Sequence, residues 1–168
     1  MTNPHSVIDF SARESVEQVE EDCELAPKFD EQGLIPCVTL HATSREVLMF
    51  AYMNEEALKA TLSTRLAHYW SRSRQALWKK GETSGMTQRI ERLLIDDDQD
   101  CVVIEVTLSS PSAGGAEASC HVGYKSCFYR EYDFDAKSKK TPPLRFIEKN
   151  KVFDPNAVYG DLPNPTQL

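Results

Sequence analysis

Residues 87–108 read "TQRIERLLIDDDQDCVVIEVTL", two long apolar runs of β type with four aspartates packed into five positions between them. Like charges this close repel, and a carboxylate is costly to bury without a positive partner. The run therefore calls for solvent or for a cation, and it commits both flanking strands to whatever supplies it. If 96–108 is extended, side chains alternate between faces. Asp98 and Asp100 then share a face with Val102, Ile104, Val106 and Leu108, while Asp97, Gln99 and Cys101 point the other way. Asp96, Asp98 and Asp100 form one column with about 7 Å between neighbours. A bend would gather the three on a hard cation such as Mg²⁺. A solvated acidic turn is the competing account. An EF-hand loop, which also begins D-x-D-x-D, does not fit: its sixth position needs Gly and holds Cys101, and its twelfth needs Glu and holds Thr107.

The rest of the chain supplies further short strands. "LIPCVTLHA" (34–42) and "VLMFAYM" (47–53) read as a pair across the turn "SRE", and Asn54 caps a helix over "EEALKATLS". "AHYWSRS" and "ALWKKG" read as strands around an Arg-rich turn, and "CFYREYDF" (127–134) as a last strand. "SSPSAGGAEA" (109–118) is a loop. Residues 1–30 are acidic and polar; Ser11 and Glu14 have capping-box spacing ahead of Val16, Val19 and Cys23, which suits a short helix, with a disordered segment as the alternative. From Asp135 the chain carries Pro142, Pro143, Pro155, Pro163 and Pro165, which reads as an extended tail. The pattern predicts an α+β, β-rich fold: small sheets in a barrel-like core with one central helix, between an N-terminal acidic extension (1–30) and a C-terminal Pro-containing tail (135–168).

At 168 residues and a net charge of −7, the chain suits one domain and not bulk binding to nucleic acid or anionic membrane. No apolar run approaches a membrane span, and the N-terminus lacks a signal-peptide core, so a cytoplasmic location is expected. The five cysteines, an odd number, argue for free thiols or metal thiolates over a disulfide framework.

Two clusters carry further chemistry. In "SCHVGYKSCF", a tight turn at Gly123 could bring Cys120 and Cys127 onto one ion, with His121 beside them. Thiolates and imidazole suit Zn²⁺, and two cysteines plus one distant ligand leave a position open, as catalytic zinc does. On a strand His121 would face away from Cys120, which suits an acid/base role as well as ligation. Two buried thiols packing as small hydrophobes would leave the same trace. In "YWSRSRQALWKKGETSG", Arg72, Arg74, Lys79 and Lys80 stand among hydroxyls, with Gly81 and Gly85 allowing close backbone approach. That patch is too short for a nucleic-acid track and sufficient for one or two phosphates, with Tyr69, Trp70 and Trp78 available to stack on a base. An exposed hairpin with snorkelling cations is the alternative.

Taken together, "GLIPCVT", "VLMFAYMNEEAL", "YWSRSR", "LWKKGETSG", "DDDQD" and "SCHVGYKSCFYR", in that order between about Gly33 and Tyr132, resemble the phosphoribosyl-AMP cyclohydrolase family of histidine biosynthesis. The resemblance assigns 31–134 as a cyclohydrolase domain, without the pyrophosphohydrolase domain that often follows it. It implies an obligate homodimer with shared active sites, one Zn²⁺ and one Mg²⁺ per site, and hydrolysis of the N1–C6 bond of N1-(5-phosphoribosyl)-AMP to the formimino-AICAR ribotide. Asp96, Asp98 and Asp100 match the family's magnesium aspartates, Cys120 and Cys127 two of its zinc cysteines, and His121 its essential histidine. Arg72, Arg74 and Lys80 would then meet the two 5′-phosphates, and Glu82, Thr83 and Ser84 the ribose or base.

One position departs. The family pattern is D-C-D-x-D, its cysteine being the third zinc ligand, given across the dimer; here that position is Asp97. Asp97 or Cys101 would have to serve instead. The departure also leaves room for a paralogue acting on another purine nucleotide, or for a non-catalytic module stabilised by zinc.

Overall fold

The apolar runs pair into one curled sheet in a computed structural model that describes residues 8–136 and 143–166. Strands β1 (Leu34–His41), β2 (Val47–Asn54), β3 (His68–Ser71), β4 (Ala76–Lys79), β5 (Gln88–Ile95) and β6 (Val102–Leu108) lie in the order β4-β3-β2-β1-β6-β5. Only β1 and β6 are parallel. The sheet curls until its edges approach. Residues ahead of β3 hydrogen-bond β5 (Ala67 N–H to Gln88 O, 2.9 Å; Ile90 N–H to Arg65 O, 2.9 Å). The fold is mixed α+β and β-rich, as the alternation predicts.

Helix α2 (Glu55–Thr64) covers the sheet. Asn54 Oδ1 caps it by accepting from Ala57 N–H at 2.9 Å, and Arg65 ends it in the left-handed region (φ 55°). Ala57 and Leu58 join Ile35, Leu48, Met53, Val102, Ile104 and Val106 in the core. Each fully buried aliphatic side chain there contributes roughly 1.5–3 kcal/mol. Through the core runs a polar chain. Thr39 Oγ1 lies 2.8 Å from the Tyr69 hydroxyl, which donates to Gln88 Oε1 at 2.6 Å; Gln88 Nε2 donates to Ser119 Oγ at 2.9 Å.

The structure differs from the sequence expectation in four places. The acidic run is the β5–β6 turn, not the start of an extended strand. Asp96 Oδ1 accepts from the N–H groups of Asp100 (3.0 Å) and Cys101 (2.9 Å), and Gln99 takes φ 58°. A side chain that captures turn amides in this way competes with strand pairing, so the one-face column does not form. Helix α1 (Val16–Glu21) is capped by Ser15, not Ser11, and Gln18 Oε1 accepts from the N–H of Glu14, one residue before the cap. The last strand shrinks to β7 (Arg130–Tyr132), which pairs with β8 (Leu144–Phe146). The Pro-containing segment adds a helix, α3 (Pro155–Tyr159), and packs Phe153 into a second small core with Met86 and Ala118; Pro142 lies outside the described residues. No helix among the described residues is long and apolar enough to cross a membrane.

Replacing Tyr69 by Phe keeps the ring and strands Thr39 Oγ1 and Gln88 Oε1 in the core. Unsatisfied buried polar groups cost about 1–3 kcal/mol. Chemical denaturation should therefore show Tyr69→Phe destabilised by that amount, with no change in m-value.

Candidate functional site

The β3–β4 hairpin and the two loops that follow β4 and β6 surround one cleft of about 820 Å³. That volume is in the range of small-ligand sites. Arg72, Arg74, Lys80, Glu82, Thr83 and Ser84 all line it, together with His121 and Cys127. The structure thus joins the basic cluster and the thiol cluster, which lie some forty residues apart in sequence.

Each wall has a local cause. Arg72 and Arg74 stand on the exposed hairpin turn, their guanidinium groups 4.3 Å and 5.8 Å from the ring centroids of Tyr52 and Trp78. These cation–π contacts hold the two charges over the cleft mouth. Gly81 (φ 84°) turns the chain where a Cβ would lie 2.4 Å from the Met86 backbone. The thiol loop closes on itself through Ser119 N–H to Lys125 O (2.8 Å) and Gly123 N–H to Cys120 O (3.2 Å). It is fastened to β2 by Cys127 N–H to Leu48 O (2.7 Å), and to Glu148, whose carboxylate accepts from Lys125 N–H (2.8 Å) and Ser126 N–H (2.9 Å). Cys120 and Cys127 lie close enough that each thiol shifts the other's proton affinity.

The pair shares a proton unequally. Donation from Cys127, supported by nearby backbone amides and the Lys80 ammonium, brings the Cys120 thiol down to about 7 against the effect of burial. Cys127, exposed on the cleft wall, is pushed far up by holding that proton. Lys80, expected as a phosphate ligand, is only 6% exposed. Burial lowers its pKa, and the two thiols oppose that shift. Its ammonium lies near both thiols, and Lys80 lines the cleft with Arg72 and Arg74. His121 Nε2 is buried with no hydrogen-bond partner among the described residues. Burial lowers the imidazole pKa, and the Asn164 side chain counters it. A neutral imidazole with an unpartnered ring nitrogen, on a residue that lines the cleft, is equipped to move a proton.

The acidic turn lies elsewhere. Gln88, tied to Ser119, begins β5, and Asp96 follows its end; the eight residues of β5 span about 23 Å. Within one chain the aspartates and the thiols are therefore at opposite ends of a strand. The carboxylates of Asp96, Asp97 and Asp98 come within 4.8 Å of one another, so Asp97 is part of the tightest group. Lys28 Nζ bridges Asp98 (3.4 Å) and Asp100 (3.5 Å), an ion pair the sequence did not single out. Cys101 packs near buried Cys37; burial, then Asp96 and Asp100, raise its pKa. All five cysteines are free.

Tyr159 and Asn164 are among the cleft residues that the sequence alone does not single out. The signal for the first was present: Asp154-Pro155 with Gly160 is an N-cap, N1 and C-cap pattern.

A sequence model of the family described as phosphoribosyl-AMP cyclohydrolase matches residues 49–129. Curated proteins of that name are similar over most of the chain. One from Rhodopseudomonas palustris (strain HaA2) is 49% identical over 150 residues, covering 89% of this chain and 96% of its own length. One from Methanococcoides burtonii is 48% identical over 132 residues, 79% of this chain and 94% of the relative. A third, from Caulobacter sp. (strain K31), is 51% identical over 115 residues, 68% and 82% of the two lengths.

The thiol pair makes its own prediction. In metal-free protein, thiolate ultraviolet absorbance should rise by one equivalent as pH passes about 7, with the second deferred to much higher pH. Cys120's lowered pKa adds stability that is present above the unfolded thiol value and lost as pH falls through about 7. Cys127's raised pKa adds stability present below the unfolded value and lost as pH rises. In Cys127→Ala the Cys120 transition should move up toward the ordinary thiol range of about 8.5.

Proposed function

The chain belongs to the phosphoribosyl-AMP cyclohydrolase family, and from that premise we propose that it opens the adenine ring of N1-(5-phosphoribosyl)-AMP by hydrolysis between N1 and C6, a step of histidine biosynthesis. The observation that carries the reading is one cleft lined both by Arg72, Arg74 and Lys80 and by Cys127 and His121, whose Nε2 has no partner among the described residues. In this reading Arg72 and Arg74 take the 5′-phosphates, and Glu82, Thr83 and Ser84 the ribose or base. Lys80 serves the thiol end. A substrate carrying two phosphates does not cross a membrane unaided, which supports a cytoplasmic location in this reading.

The donor sets fit the two metals that the family resemblance implies. Cys120 and Cys127 already share one proton, as soft ligands poised to release it do. Asp96, Asp98 and Asp100 offer the oxygens that a hard cation such as Mg²⁺ prefers. Zinc held by sulfur supplies Lewis acidity that activates water near neutral pH. Asp97 is the better third ligand: it is exposed among its fellow carboxylates, whereas neighbouring acids disfavour a Cys101 thiolate. The protein's own step is proton transfer. As water adds at C6, His121 Nε2 takes its proton and returns it to N1 when the C6–N1 bond breaks.

Because about 23 Å of β5 separates acids from thiols, we place the complete site between two copies, each giving its acidic turn to the other's cleft. The sequence departure at Asp97 supports one further reading, a paralogue turning over another purine nucleotide; assaying several nucleotides side by side distinguishes it.

His121→Ala, Cys120→Ala and Cys127→Ala should each lower ring-opening turnover by at least about 100-fold, the low end of general acid–base contributions, with circular dichroism unchanged. Wild-type turnover in any of them removes that residue from the scheme. Asp98→Asn should weaken the response to Mg²⁺ while bound zinc, measured by metal analysis, stays the same. Mixed and re-associated, inactive His121→Ala and inactive Asp96→Asn chains should regain activity, since one of the two sites in each heterodimer is then intact. Failure to regain it would place both clusters in one chain's site.

A further inference from the structure

The C-terminal segment is built into the cleft. Val152 N–H donates to Gly123 O at 2.8 Å, and Ala116 N–H donates to Val152 O at 3.0 Å. Phe153, 6% exposed, packs on fully buried Met86 and Ala118. The fit leaves no slack: a Cβ on Gly115, which has φ 116°, would lie 2.6 Å from the Phe153 Cβ. Met86 follows Ser84 by two residues, and Ala118 precedes Cys120 by two. The anchor thus grips the two loops that carry the cleft's polar groups.

From this anchor α3 is started by Asp154, whose Oδ1 accepts from Asn156 N–H at 2.9 Å, and ended at Gly160 (φ 53°). The five-residue helix delivers Tyr159 to the cleft wall. The ring packs with the Phe153 cluster, while the phenol faces the Ser84 hydroxyl and lies near both thiols. Packing alone would be met by phenylalanine. A phenol is placed here with donor and acceptor capacity at the cleft wall, beside Ser84 and near both thiols.

We propose that Tyr159 is a substrate-contacting residue, its hydroxyl leaving or sharing Ser84 to hydrogen-bond the polar edge of the bound purine and orient the ring beside the thiol pair. This rests on the ring-opening activity for the identity of the substrate, but not for the binding of a purine nucleotide. A rigid ring with two side-chain torsions loses little entropy in such a contact. One neutral hydrogen bond contributes about 0.5–1.5 kcal/mol, up to roughly tenfold in affinity.

Tyr159→Phe tests it. AMP, which carries the purine and one 5′-phosphate, serves as a non-reacting probe, read by the fluorescence of Trp70 and Trp78 in the cleft wall. The expected result is AMP affinity lowered about three- to tenfold, KM for N1-phosphoribosyl-AMP raised in parallel, kcat changed less, and the melting temperature kept. A purely structural role would instead lower the melting temperature and leave the KM-to-kcat split unaltered. AMP affinity and KM within twofold of wild type overturn the proposal. If wild type binds AMP but opens no ring, the activity is wrong, and the AMP shift alone still decides Tyr159. If Tyr159→Phe does not fold, nitration of Tyr159 in wild-type protein, followed by peptide mass, replaces it: slowing by saturating AMP supports the contact, and nitration unaffected by AMP overturns it.

Discussion

The site depends on one buried hydrogen-bond chain, Thr39–Tyr69–Gln88–Ser119. Thr39, Tyr69 and Gln88 are fully buried, so water offers none of them an alternative partner. The chain crosses from β1 through β3 to the first residue of β5 and ends one residue before Cys120. A packed apolar core fixes volume but is tolerant of small rotations; a satisfied polar chain admits one arrangement of donors and acceptors. The thiol loop, which has no regular secondary structure of its own, takes its position from that arrangement. Glu148 and the Leu48 carbonyl fasten its other end.

At the far end of β5 the problem is charge, and the N-terminal segment solves it. Lys28 stands between Asp98 and Asp100, and the Arg13 guanidinium donates to the Asp98 carbonyl at 2.9 Å. Gln99 turns inward, accepting from Ala26 N–H at 2.8 Å and donating to Val19 O at 2.9 Å. The acidic extension is therefore a clamp on the acidic turn. Exposed pairs such as Lys28–Asp98 are weak individually. The buried Gln99 amide fixes the turn's shape, and the cations make its charge tolerable.

What the sequence disclosed and what it withheld divide along physical lines. β1, β2, β5 and β6 have runs long enough for their alternation to outweigh noise, and Asn54 marks the helix between β2 and β3 by a local hydrogen bond. Such features are settled by neighbours in sequence. β8 and α3 are three and five residues long, too short for a period to register. Here α3 is held by Phe153 entering a pocket made by Met86 and Ala118, and β8 by pairing with β7 and by Phe146 packing on Tyr124 and Tyr129. Nothing within the Pro-containing segment announces that pocket. The site residues divide in the same way. Arg72, Arg74 and the Cys120/Cys127 pair were legible because their chemistry lies in residue type and spacing. The burial of Lys80 was not, since "WKKG" gives no sign of which lysine turns inward. Lys28 was invisible as a partner of Asp98 because seventy residues separate them. The aspartates were read as a strand because alternation was applied through a stretch where a carboxylate outcompetes pairing for its own backbone amides.

The charge distribution gives the proposed pairing of copies a physical basis. A chain of net −7 sets Arg72, Arg74, Lys79 and Lys80 around the cleft and Asp96, Asp97, Asp98 and Asp100 in the β5–β6 turn. The two poles are separated by the length of β5, too far apart to neutralise each other within one molecule across more than a Debye length of about 8 Å. A two-fold contact brings the acidic pole of each copy to the basic pole of the other, because such an interface places residue i against j and j against i. The contact would be satisfied twice. Complementary fields of this kind favour encounter and register more than they add affinity. The cohesion of the pair must then come from apolar surface, and exposed Phe50 on β2, with Phe128 beside the thiol loop, is available for it. Charge would set which way the copies meet, and burial would hold them there.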